Sequence, residues 1–186
     1  MRRHKVIRFF LIKIILIIQI ILLVITIKEK YETNSFITIV SLIIISLIMF
    51  YGYRYLNLHH EEYAYEKTSV ALWVPIGALI CYSLNVYSGL GSILAAGITG
   101  TIASFIPLIN KQSSYLKKLP AAIYCGAFVG MSSTEISPSI EFALAAGFIT
   151  GILYMLSKNL FLGLGGKLGT IAFIGVAVVY LINSFY

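Results

Sequence analysis

AAGFITGILYMLSKNLFLGLGGKLGTIAFIG, residues 145–175, is the stretch whose reading decides the fold. A run of apolar and small residues enters a basic, glycine-rich loop. A second small-residue run then leaves it. A degenerate copy lies upstream. Ala95-Ala96-Gly97 with Thr99-Gly100 answers Ala145-Ala146-Gly147 with Thr150-Gly151. Lys118-Leu119-Pro120-Ala121-Ala122 through Gly126 answers Lys167-Leu168-Gly169-Thr170-Ile171 through Gly175. Each copy reads as a hairpin of two membrane helices, packed through residues small enough to let backbones approach.

Composition agrees. Of 186 residues, 59% are hydrophobic and 11% charged, with a mean hydropathy of +0.93. Soluble domains carry about 25% charged residues, so this chain lacks the polar residues to cover a water-facing surface. At ~20 residues per crossing, its length accommodates seven transmembrane helices. Cys81 and Cys125 stand alone in apolar runs and read as packing thiols.

Outward from the repeat, apolar runs predict spans near 6–27, 35–55, 68–86, 90–109, 119–131, 137–157 and 168–185. The first is too long, and its exit too charged, for a cleaved signal. The fifth begins at Leu119-Pro120, with proline suited to a first helical turn. The sixth is expected to take Ser137 as N-cap, Pro138 at N1 and Glu141 in its first turn. Only Gly52 of fifteen glycines precedes residue 68. Residues 1–67 therefore read as an Ile-rich hairpin plus a polar cytoplasmic loop. Residues 68–186 read as a Gly/Ala-rich five-helix core, continuous with that hairpin in one membrane domain.

The charges orient this layout. With the N-terminus inside, the inner segments hold Arg2, Arg3, Lys5, Arg8, Arg54, Lys67, Lys111, Lys117, Lys118, Lys158 and Lys167. The outer ones hold Lys28 and Lys30. Such a bias predicts a multi-pass protein of the cell membrane, of bacterial inner-membrane type, with basic loops cytoplasmic and the C-terminus outside. Spans four to five and six to seven then run in the same sense, a parallel repeat. Gly77, Gly126 and Gly175, evenly spaced, hint at a third copy in spans two and three.

Two places hold residues able to do chemistry. The loop Gly163, Gly165, Gly166, Lys167, Gly169, Thr170 combines glycine amides, a helix start and a cation, a pattern suited to an anion or a lipid phosphate on the inner face. It departs from the nucleotide-binding G-x-x-x-x-G-K-[ST] spacing. Ser132, Ser133, Thr134, Glu135 and Glu141 gather hydroxyls and carboxylates into an outer mouth. The loop His59-His60-Glu61-Glu62 carries adjacent histidines that cannot both face one ion on a helix. The Glu-Glu-x-x-x-Arg pattern of intramembrane prenyl proteases meets Glu66 in place of the arginine.

Spans three to seven contain no His and no Asp, which argues against hydrolase chemistry and against an enzyme altogether. No cofactor and no nucleic acid is expected. The expected partners are the lipid bilayer and a second copy or another membrane protein. The expectation for function is a small channel or facilitator for a solute or ion. The alternative is a non-transporting membrane subunit, scaffold or sensor.

Overall fold

The computed structural model describes residues 36–55, 65–158 and 166–184, with scattered helical positions between Lys13 and Tyr31. Apart from those positions, the expected first span lies outside the described residues, as do His59, His60, Glu61 and Glu62. The chain divides into two compact units, 1–63 and 64–186. The described residues are helical with no strand. Three helices, Thr68–Tyr87, Ser92–Ile109 and Lys167–Ser184, are long and apolar enough to cross a membrane.

The first unit contributes α1 (Phe36–Tyr55). Exposed apolar side chains lie on every side of it, Ile37, Ile43 and Ile45 among them. A water-facing helix would confine such residues to one stripe.

The second unit opens with α2 (Thr68–Ala71) and α3 (Trp73–Tyr82). Pro75 has no amide to return to the Ala71 carbonyl, and the regular helix is interrupted at Leu72. A π-helical turn, Ser83–Tyr87, ends this span. Gly89 and Gly91, both at positive φ, reverse the chain. The helix α4 follows (Ser92–Ile109). A 3₁₀ turn at Leu116–Lys118 leads into α5 (Leu119–Gly130), with Pro120 in its first turn as expected. Next come α6 (Ile140–Leu156) and α7 (Lys167–Ser184).

One expectation needs correction. The N-cap of α6 is Ser139, whose side chain accepts the Phe142 amide, and not Ser137, so Pro138 precedes the cap and does not take N1. Ser137 is instead buried in the preceding turn, where the Tyr82 hydroxyl donates to its carbonyl at 3.3 Å. Glu141 does fall in the first turn of α6.

The centre of the bundle is α5, which packs on α3, α4, α6 and α7. Its 12 residues make about 18 Å of helix, well short of a ~30 Å hydrocarbon core. Glycine is what lets it sit there. A Cβ on Gly126 would strike the Val74 carbonyl and come within 2.7 Å of the Ala78 amide. One on Gly77 would strike the Ile123 carbonyl, and one on Gly130 the Ala78 carbonyl. So α3 and α5 meet backbone to backbone. Around that contact, Val70, Val74, Leu119, Ile123 and Ile171 form one buried cluster. Ala78, Val129, Phe142 and Ala146 anchor a second. Both cysteines are buried and unpaired by disulfide, as a packing role requires.

The helices alternate in direction, so the unit has two chemically distinct ends. Glu66, the 110–118 connection, Lys158 and Lys167 share one end. The 88–91 and 131–139 turns share the other, as the hydrogen bonds below establish.

Candidate functional site

At the basic end, Glu66 is the organising residue. It precedes α2 and is only 8% exposed. Its Oε1 accepts from Lys118 Nζ at 2.9 Å and from the Lys67 amide at 3.2 Å. Its Oε2 pairs with Lys158 Nζ at 3.6 Å. The Glu66 amide donates to the Met155 carbonyl at 3.1 Å. One carboxylate thus ties the entry of α2 to the start of α5 and the end of α6. Burial alone would raise the Glu66 carboxyl. The Lys118 hydrogen bond, the Lys67 amide and the neighbouring ammonium charges outweigh it and hold the pKa below its ordinary value.

Lys167 belongs to the same cluster by another route. Its Nζ donates to the Lys158 carbonyl at 2.7 Å, close behind the C-terminal end of α6. The last carbonyls of a helix carry negative partial charge and favour a cation. Of the expected anion loop, Gly163 and Gly165 lie outside the described residues. Gly166 sits at φ +83°, a left-handed backbone suited to glycine. Thr170 turns its hydroxyl and its amide back to the Gly166 carbonyl, and Gly169 faces open space. Lys167 is therefore engaged with protein, and the loop's cation joins a wider lysine cluster.

Aromatic side chains mark the same end. Trp73 Nε1 donates to the Tyr115 hydroxyl at 2.9 Å, and that hydroxyl donates to the Ser69 carbonyl at 3.2 Å.

At the other end, the π-turn sets Asn85 against the exit of α5. Its Nδ2 donates to the Gly130 and Ser132 carbonyls, each at 3.3 Å. A π-turn adds a residue to the helical repeat and re-aims the side chains it carries. Asn85, Val86, Ser92, Met131, Ser133 and Thr134 line a cavity of about 380 Å³. Ser133 and Thr134 of the expected mouth thus reach a cavity, and Ser132 contributes its carbonyl to Asn85. Glu135 and Glu141 are exposed and not among the lining residues.

Sequence reasoning missed Asn85 and Ser92. The available signal was a lone side-chain amide in the run ICYSLNVYSGL. It also missed Glu66, which it treated as the failing position of a protease pattern. Among the described residues, no cluster of three His, Cys, Asp or Glu could hold a metal ion. Comparison with family models, with curated proteins and with solved structures returns no match.

Proposed function

We propose that this chain is a multi-pass membrane protein whose glycine-packed core serves as a non-transporting subunit, scaffold or sensor. The observation that carries the reading is the filled centre. Gly77, Gly126 and Gly130 bring α3 and α5 into backbone contact, where a conduit would need separation and a polar lining. The positive-inside bias supports a cytoplasmic side for the basic loops. The exposed apolar side of α4, with Ile93, Ile102 and Phe105, then meets lipid or a partner helix. A protein of this kind acts through what it packs against. Extraction in mild detergent should yield an assembly larger than the 20.6 kDa chain. A stable, solitary monomer contradicts the reading.

A second reading, a facilitator for a small solute, is favoured by the Asn85–Ser133 cavity. Hydroxyls and an amide there could receive a solute at the mouth of a path. It predicts flux that Asn85→Leu abolishes.

A further inference from the structure

The lysine cluster around Glu66 carries more charge than its own carboxylate neutralises. Lys118, Lys158 and Lys167 supply three ammonium groups against one carboxylate, which leaves +2 on the cluster. Each ammonium has three donors. Lys118 spends one on Glu66 and Lys167 one on the Lys158 carbonyl. Lys158 pairs with Glu66 at a separation too long for a hydrogen bond. The Lys118 and Lys158 side chains are 38% and 32% exposed, so both keep access to the surface. Glu66, almost fully buried, fixes both from below. Two ammonium groups held by one buried carboxylate make a preorganised clamp for a tetrahedral anion, whose several oxygens can accept from more than one cation at once. The Trp73–Tyr115 pair lies at this end. Such amphipathic rings settle at the level of lipid headgroups, which selects a lipid as the source of the anion.

We propose that Lys118 and Lys158, held by Glu66, together with the neighbouring Lys167, bind the phosphate of an anionic lipid headgroup. The inference rests on the reading of the chain as membrane-spanning. It moves the expected phosphate site from the 163–170 loop to a cluster drawn from three connections of the bundle.

The test is native mass spectrometry of the full chain, released from bilayers of equal phosphatidylglycerol and phosphatidylcholine. Retention of each lipid is the readout. The wild type should retain phosphatidylglycerol preferentially. Lys118→Gln or Lys158→Gln should each lower the preference about fivefold, the effect of one lysine near an anionic surface. Glu66→Gln should lower it as well, because the two ammonium groups lose the carboxylate that holds them. Lys111→Gln, at an exposed lysine of the same end, should leave it unchanged. A folding defect is told apart because it would lower retention of both lipids alike. Equal retention of both lipids overturns the proposal. So does a Lys111→Gln loss equal to that of Lys158→Gln, or an unchanged preference in Glu66→Gln. Displacement of the lipid by millimolar inorganic phosphate overturns the lipid assignment in favour of soluble phosphate. A chain that retains neither lipid contradicts the membrane reading instead.

Discussion

Two stretches with matching letters, 95–126 and 145–175, have different neighbours. Gly126 of α5 lies against the backbone of α3, at the Val74 carbonyl and the Ala78 amide. Its counterpart Gly175 of α7 lies against α6 of its own hairpin, at the Thr150 side chain and the Ala146 carbonyl. Gly147 of α6 would place a Cβ 2.9 Å from Pro75 Cα, whereas Gly97 of α4 has nothing within 4 Å. Lys118 pairs with the Glu66 carboxylate, and Lys167 with the Lys158 carbonyl. Similar letters therefore do not impose a similar environment. Position in the bundle decides what each residue does: α5 is central and α4 presents one side outward.

The largest effect should come from the central glycine. Gly126→Ala forces a methyl into rigid backbone and should cost about 3 kcal/mol or more, at the upper end for overpacking. Gly175→Ala meets mainly the Thr150 side chain, which can rotate, and should cost about 1–2 kcal/mol. Thermal unfolding of both variants in one detergent measures the difference. Equal costs would restore the equivalence of the two hairpins.

Next comes Asn85. Replacement by Leu leaves the Gly130 and Ser132 carbonyls without their shared donor, at about 1–2 kcal/mol, again read from thermal unfolding. The exit of α5 ends in this contact. The outward glycine should behave oppositely to the inward ones. Gly97→Ala adds a methyl to open space, and alanine is the better helix former by about 1 kcal/mol. It should be neutral or stabilising in the same assay, whereas Gly147→Ala should destabilise.

The smallest effect is a pH dependence at the basic end. The Glu66 carboxyl titrates below its ordinary value of 4.5 in the folded chain. Its contribution to stability is complete above that value and is lost as pH falls through the lower, folded pKa. Lys118 and Lys158 are the charged groups paired with it, with Lys167 close by. Unfolding temperature measured from pH 6 down to pH 3 should drop less in Glu66→Gln than in the wild type. Parallel curves would remove the carboxylate from the account.

Helix positions were legible because apolar runs, prolines and glycines are local signals. Pro120 announced the start of α5, and the Gly89–Gly91 turn separates spans expected to end near 86 and restart near 90. The cap of α6 was misassigned by two residues because Ser137 and Ser139 both flank Pro138. Only burial, with Ser137 fitting beneath Tyr82, distinguishes them. Gly97 and Gly147 cannot be told apart by their flanking residues, since a helix partner is chosen by tertiary packing. Glu66 was illegible for the same reason. Its meaning comes from lysines about 50 and 90 residues away, and one of several glutamates in a polar segment carries no mark of burial. Asn85 reached its site through a π-turn, which no local periodicity announces.

The central claim is that the helical core is filled. Purified chain reconstituted into liposomes, assayed for release of small ions and neutral solutes, tests it most directly. Release indistinguishable from empty vesicles is the expected result. Saturable release above that background, lost in Asn85→Leu, would contradict the account.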